Sequence, residues 1–342
     1  MRRAGASPLV SLLPIFIAAL GASGAAGASG SASSVQTAPT DPERLLAERF
    51  QFPAEEISQA RAGQPIAKLI AGRDKDELAV VGAVRLDGDM KRLVEWVRNI
   101  EHFRHAAELG TTRAIESPPT AKSFADLALD AKDLAALKAC RPGDCDLRVP
   151  DELIAKFQSG VAWDTPTGSA QANALFAGML TEYAAAYAHG GDAAVGNDFG
   201  DLLRGATTLY ALAPELADYL QKFPASNLAD VDHRLYWTNL TDSWGSIVSL
   251  HHLVVYRRPS GDAIIADKTF YASRYFDVAA LVLSMHATPD GKGYYLIAGS
   301  RAKSSNLTSV GGRVLRGQVE RAAASTVKMY LEWLRDSLAA AR

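Results

Sequence analysis

The sequence predicts an α+β fold in which an antiparallel meander grips one long C-terminal helix. Four β-type runs follow one another between residues 247 and 301, separated by turns such as Pro259-Ser260-Gly261-Asp262. Connections this short force neighbouring strands to pair antiparallel, because a parallel pair needs a long crossover. A single apolar stripe at helical spacing then runs from Leu315 to Leu338. Burying that stripe on the meander accounts for both patterns.

The N-terminus has the pattern of a secretory signal peptide over residues 1–28, with Arg2 and Arg3 before an apolar run and Ala26-Gly27-Ala28 as the cleavage site. The apolar run is too short for a membrane anchor, which needs about 20 residues. Residues 29–40 are rich in Ser, Ala, Gly and Thr and predict a flexible leader. We therefore expect a periplasmic or secreted, soluble protein without a stable membrane anchor, whose residues 41–342 form a single domain.

Charge and cysteine content narrow the class of protein further. The formal net charge of −2 argues against a nucleic-acid partner. Cys140 and Cys145 are the two cysteines, and Pro142-Gly143 between them is typical of a tight turn. In an exported protein this spacing favours a disulfide; a redox-active pair is the alternative, although the spacing is not Cys-x-x-Cys.

The remaining elements follow from local patterns. Short helices are predicted near residues 42–50 and 53–62, strands at 66–70 and 78–86, and one helix over 90–109. Residues 111–149 are irregular, with strand-like segments near Ile115 and over 124–129. Residues 150–221 are rich in Ala and Leu and predict a helical insertion. The meander strands are predicted at 247–257, 263–276, 278–287 and 294–301.

This order of elements resembles the START-like, or helix-grip, superfamily. The resemblance covers residues 66–149 and 236–342, and the phrases at 137–146 and 271–277 resemble those of uncharacterised exported bacterial proteins of this type. It implies a cavity between the sheet and the closing helix. The superfamily includes carriers of lipids and sterols, binders of other hydrophobic molecules, and some cyclases and hydrolases, and it has no shared catalytic motif. No catalytic residue is therefore carried over.

Candidate ligand contacts lie on the last strands. Strict alternation places Tyr271 and Tyr275 on one face of strand 263–276, where they either line a cavity or pack across strands. Arg274 and Arg301 near strand ends can bind the carboxylate or phosphate of an amphipathic ligand, or form surface ion pairs. We expect His252 to contact the ligand; its neighbour His251 points to the opposite face.

Two further sets of residues complete the candidate site. Ala322 and Ala323 are small residues on the closing helix, where space can remain for a ligand. His102 and His105 share one helix face, but a convincing metal site needs at least a third ligand, so we predict neither a metal nor a cofactor.

Three functions remain open. The first is binding or carrying a hydrophobic or amphipathic small molecule such as a lipid. The second is an enzyme of hydrolase or cyclase type acting on an apolar substrate, with His251 or His252 and a Tyr or Asp in the cavity as acid–base groups. The third is a ligand-free interaction module of the cell envelope, in which side chains fill the cavity and the helical insertion contacts a protein partner. The common motifs of hydrolases, metalloproteases, P-loop proteins and dinucleotide-binding enzymes do not occur in the sequence.

Overall fold

The computed structural model describes residues 41–340 apart from 73, 108–109, 198, 201, 203–211, 243–244, 276, 305–306 and 308–309. The predicted signal peptide and leader lie outside the described residues. Within the described part of the chain, no helix is both long enough and apolar enough to cross a membrane.

An eight-stranded antiparallel sheet forms the centre of the fold. Its strand order is β1-β2-β8-β7-β6-β5-β4-β3, so β2 and β3, which are separated only by two helices, lie far apart in the sheet. The strands are β1 (Ile66–Ile70), β2 (Glu77–Asp87), β3 (Thr111–Ala114), β4 (Val231–Asp242), β5 (Gly245–Arg257), β6 (Ala263–Ala272), β7 (Val278–Ala287) and β8 (Gly293–Lys303).

The meander hairpins form where turn residues predict them. Gly261 and Gly291 adopt φ of +92° and +66° between β5 and β6 and between β7 and β8, a conformation that glycine enters without steric cost. Two other predictions are wrong. Residues 90–109 form two helices instead of one, because Asn99 breaks the first and caps the second through the backbone N–H of His102. No strand forms over 124–129, where we expected one, because Phe124 ends the 3-10 helix Ala121–Phe124 and a turn and an irregular segment follow.

Helices cover both faces of the sheet. The helices are α1 (Pro42–Arg44, followed by the π-helical Leu45–Arg49), α2 (Ala54–Arg61), α3 (Lys91–Arg98), α4 (Ile100–Ala106), α5 (Ala131–Ala139), α6 (Asp151–Gly160), α7 (Gly168–Val195), α8 (Pro214–Lys222) and α9 (Val310–Ala340). We call the face under α3, α4 and α9 the inner face; its core contains Leu296, Leu331 and Leu334, each 0% exposed. The other side is the outer face. The predicted α+β class, with a sheet gripping a C-terminal helix, is confirmed.

The closing helix α9 lies unusually close to β2. A Cβ at Gly82 would lie 2.8 Å from Cγ1 of Val327 and 2.9 Å from Cδ1 of Leu331. Both distances are shorter than real Cβ contacts, so only glycine admits the helix at this depth. The absence of a side chain at one position of β2 therefore sets how tightly the sheet grips α9.

The described residues of the long connection between β3 and β4 (115–230) pack on the outer face. The connection starts well before the predicted insertion at 150–221. Phe176 and Tyr187 of α7 are fully buried there, and the ring centroids of Tyr187 and Phe270 lie 3.9 Å apart. The sulfur atoms of Cys140 and Cys145 are within bonding distance across a turn that Arg141 and Asp144 close with two backbone hydrogen bonds of 2.9 Å.

Candidate functional site

A cavity of about 210 Å³ lies on the inner face, between strands β4 to β8, the α3–α4 pair and the middle of α9. Its wall is mostly aliphatic and aromatic, with a small set of polar side chains. The lining residues are Val97, Ile100, Phe103, Arg104, Leu240, Ile247, Ser249, His251, Leu253, Ile265, Asp267, Thr269, Ala279, Leu281, Leu283, Ser300, Thr326, Val327 and Tyr330. An apolar wall with few directed polar groups is the usual composition of a small-molecule site.

The size of the cavity limits what it can hold. An apolar cavity of about 150 Å³ accepts benzene, and drug-sized ligands occupy about 300 Å³ or more. At about 210 Å³ this cavity therefore suits a molecule of one or two rings.

The polar groups of the cavity are linked to one another. Nδ1 of His251 lies 3.2 Å from Oδ1 of Asp267, and Nε2 of the same ring lies 3.3 Å from Oγ1 of Thr238. The Tyr236 hydroxyl donates to the other carboxylate oxygen of Asp267. The ring of Tyr236 stacks on His251 with centroids 4.6 Å apart. The imidazole is thus held by contacts on both nitrogens and on its face.

Asp267 is a carboxylate in this arrangement. Burial by itself raises the pKa of Asp267, but the charge and hydrogen bond of His251, together with Arg104 and Tyr236, outweigh burial and leave the pKa below its ordinary value. A carboxylate can only accept hydrogen bonds, so Nδ1 of His251 carries the proton that faces Asp267. The other ring nitrogen of a neutral His251, Nε2, is then the basic one.

Two donors on the helical wall complete the site. Arg104 of α4 is 9% exposed and donates from Nε to Oγ1 of Thr112 at 3.2 Å. Its guanidinium lies 5.8 Å from the ring centroid of Tyr236. Tyr330 of α9 lines the same cavity, and burial raises the pKa of its hydroxyl far enough that it stays protonated at neutral pH.

A β-bulge decides which residues of β6 face the cavity. Leu250 pairs with Tyr271 while His251 pairs with Thr269, so Phe270 is an extra residue on β6. Asp267 and Thr269 line the cavity, and Phe270 and Tyr271 both pack in the outer core. The strict alternation that placed Tyr271 beside Asp267 is therefore wrong at this point. An added residue reverses the side of the sheet that the following side chains face.

None of the predicted residues after the bulge lines the cavity. The Tyr271 hydroxyl donates to the carbonyl oxygen of Arg148 at 2.8 Å, beside a separate groove of about 390 Å³ against the insertion. Tyr275, at φ +69°, packs against the small cluster of Ile247 and Ala272. Arg274 forms an ion pair of 2.6 Å with Asp133 of α5.

The remaining predicted residues are also dispersed. Arg301 is buried in an ion pair with Glu77 of β2. His252 is fully buried on the outer face, 2.9 Å from the Tyr187 hydroxyl through Nδ1, and burial lowers its pKa well below the ordinary value. Ala322 and Ala323 are not among the lining residues, although Ala323 belongs to the inner core. None of the seven predicted ligand contacts lines the cavity under α9.

The sequence analysis did not identify Asp267, Arg104 or Tyr330, and of the two consecutive histidines it assigned the ligand contact to His252 and not to His251. Because consecutive strand residues point to opposite faces, one of His251 and His252 must face the closing helix. The sequence pattern does not indicate which of the two it is. Arg104 and Tyr330 lie on helices amid other charged and aromatic residues, and nothing in their spacing distinguishes them. Among the described residues, no group of three or more His, Cys, Asp or Glu side chains is placed to hold a metal ion.

Comparison with known proteins gives little further information. No protein-family model matches the chain, and no curated protein matches it. Among solved structures, a di-domain aromatase/cyclase from the steffimycin biosynthetic pathway matches at 17% identity and a TM-score of 0.22, over 39% of this chain and 47% of that one. The chain thus spans less than half the length of that protein. The fold assignment depends on the strand order and helix packing described above.

Proposed function

We propose that the protein binds a small, largely apolar molecule of one or two rings in the cavity under α9. The observation that carries the proposal is the cavity itself, about 210 Å³ with an apolar wall and one linked set of polar groups. Side chains do not fill this space, which favours a ligand site over a ligand-free interaction module. Burial of the apolar surface of the ligand contributes about 25 cal/mol of favourable free energy for each Å² removed from water.

The cavity size narrows the expected ligand. A lipid with long acyl chains exceeds a space of about 210 Å³, so a compact aromatic or alicyclic molecule fits better than a membrane lipid. Asp267 and His251 are hydrogen-bonded to each other, and the charge of Arg104 acts on Asp267, which fits a ligand with one polar end.

Two neighbouring alanines on β7 provide the test. Ala279 lines the cavity, whereas Ala280 packs against the outer core, and both are half-buried. We expect Ala279→Leu to abolish binding of small aromatic molecules in ligand-observed NMR, because the added side chain occupies the cavity. The matched variant Ala280→Leu should bind like the wild type. Equal binding by both variants would refute the location of the site.

A second candidate function is proton transfer on the bound molecule. It is favoured by His251, whose imidazole lines the cavity and hydrogen-bonds Asp267 at 3.2 Å, the arrangement that orients a general base. The test is exchange of the acidic C–H of a bound ketone, such as 2-tetralone, for deuterium in D₂O. Catalysed exchange by the wild type, lost in His251→Gln with unchanged ketone affinity, would support an enzyme. Exchange no faster than in buffer alone would exclude this reaction.

We also propose that the mature protein is exported. The signal-peptide pattern over residues 1–28 and the bonded pair Cys140 and Cys145 support this, because disulfides persist in oxidising compartments. Mass spectrometry of the protein from fractionated cells tests it. We expect a mature N-terminus at Ser29 in the exported fraction; an intact N-terminus in the cytosol would contradict the proposal.

A further inference from the structure

The cavity wall contains a buried cation without an ion-pair partner. Arg104 is 9% exposed, yet among the described residues no carboxylate lies within ion-pair distance of its guanidinium. Arginine is rarely buried to this extent unless it is paired, because removing a charge from water is unfavourable. The two terminal nitrogens have no hydrogen-bond acceptor in the described part of the chain. The Arg104 side chain lines the cavity, so these terminal N–H groups can donate to a ligand.

The contacts that Arg104 does make hold it in this position. Nε donates to Oγ1 of Thr112, and the guanidinium lies over the face of Tyr236 at 5.8 Å from the centroid. Both contacts leave the terminal nitrogens available. The guanidinium is therefore held through Nε and through its contact with the Tyr236 ring, while its two terminal nitrogens remain available to a ligand.

The carboxylate of Asp267 is not paired with the terminal nitrogens of Arg104. Asp267 accepts from the Tyr236 hydroxyl on one oxygen and lies 3.2 Å from His251 on the other. The charge of Arg104 lowers the pKa of Asp267 from a longer distance, without a direct ion pair. Each oxygen of Asp267 thus already has one protein partner, Tyr236 or His251, and neither oxygen is paired directly with Arg104.

A second donor points to the same ligand chemistry. The Tyr330 hydroxyl lines the cavity and, within the described residues, has no hydrogen-bond partner. Arg104 lines the same cavity, and the charges of Arg104 and Asp267 act on the Tyr330 hydroxyl in opposite directions. The terminal nitrogens of Arg104 and the hydroxyl of Tyr330 are thus two donors on the cavity wall that a ligand with acceptor oxygens would satisfy.

We propose that the ligand carries a carboxylate, held by the terminal nitrogens of Arg104 and the hydroxyl of Tyr330, with its rings against the apolar wall. A planar guanidinium binds a carboxylate through two parallel hydrogen bonds. The carboxylate of the ligand would thus be the ion-pair partner that Arg104 lacks within the described residues. This inference rests on the proposed function, because it assigns the polar end of the same site. It defines the ligand class as a small aromatic or alicyclic acid.

The test compares three probes of nearly equal size: 2-naphthoate, its neutral amide 2-naphthamide, and 2-methylnaphthalene. Affinities are measured at neutral pH by titration calorimetry or by fluorescence. We expect the wild type to prefer 2-naphthoate over 2-naphthamide by at least about tenfold, since hydrogen bonds to charged groups carry that much affinity.

Variants separate the carboxylate contact from general binding. Arg104→Met keeps the apolar stem and should lose at least about tenfold in 2-naphthoate affinity while 2-methylnaphthalene binds as before. Tyr330→Phe should lose several-fold for 2-naphthoate alone. Arg92→Met, which removes an exposed arginine of α3, should change nothing.

The outcomes are distinguishable. Equal affinity of the wild type for all three probes would overturn the carboxylate assignment and leave the proposed function standing. A parallel loss of all probes in Tyr330→Phe would also count against it, because that variant changes only one hydroxyl. If no probe binds the wild type, both the assignment and the proposed function fail.

Discussion

Replacing Gly82 with alanine tests whether close contact between β2 and α9 holds the fold together. The new Cβ would lie 2.8 Å from the carbonyl oxygen of Ile66, 2.8 Å from Val327 and 2.9 Å from Leu331. The carbonyl belongs to the β1 backbone, which pairs with β2, so it cannot retreat without disturbing the ladder. We therefore expect the added methyl group to disturb both the β1–β2 ladder and the packing of Val327 and Leu331 of α9 on the sheet.

The magnitude follows from overpacking. Forcing one extra carbon into a well-packed core costs about 1–3 kcal/mol. In a domain of about 300 residues the thermal midpoint falls by about 1.5–2 °C per kcal/mol. Because Val327 also lines the cavity, displacement of α9 should change the affinity for small aromatic probes as well.

The matched control is Gly317→Ala on α9. Its new Cβ would meet only Nη1 of Arg321, at 3.6 Å, and replacing glycine by alanine inside a helix stabilises it by about 0.5–1 kcal/mol. The same chemical change should thus lower the midpoint at Gly82 and raise it at Gly317 in thermal unfolding followed by circular dichroism. A Gly82→Ala midpoint at or above that of the wild type would refute the packing argument.

Three further predictions concern stability. Leu331→Ala should lower the free energy of unfolding by about 2–5 kcal/mol in urea titrations, because Leu331 is fully buried against the inner face; a loss below 1 kcal/mol would contradict that burial. Burial lowers the pKa of Lys268 to about 8 despite its ion pair with Asp192, so the unfolded chain binds more protons between about pH 8 and 10.5 and wild-type stability should rise with pH there. The increase in the free energy of unfolding with pH should be smaller in Lys268→Met. Identical pH dependences of the two proteins would refute the lowered pKa of Lys268. Cys140→Ser with Cys145→Ser should cost about 2 kcal/mol, since the bridge closes a short loop, and a disulfide-reduced wild type should melt at the same temperature as this variant.

The parts of the fold set by local chemistry were predictable from the sequence. The hairpins formed where Gly261 and Gly291 permit positive φ, and the apolar stripe of α9 faces the sheet as its period indicates. The break at Asn99 was not predictable from the period, because Val97, Ile100 and Phe103 keep an i, i+3 spacing across it. A capping side chain can end one helix and begin another without interrupting the apolar pattern.

The site was less predictable than the fold because it depends on long-range geometry. The bulge at Phe270 reverses the face of Tyr271, and alternation along the strand gives no sign of it. His251 and His252 point to opposite faces of the sheet, and the sequence pattern does not tell which of the two faces α9 covers. Arg104 reaches the cavity because α4 packs beside Tyr236, on a strand more than a hundred residues later in the chain.

The most direct test of the central claim is the position of a bound aromatic probe, measured by NOEs between 2-naphthoate and methyl groups of isotope-labelled protein. The account predicts NOEs to Leu253, Ile265 and Leu283, which line the cavity, and none to Val254 or to Ile264, which lie on the outer face of the same strands. NOEs to the outer-face methyl groups, with none from the cavity, would contradict a ligand site under α9.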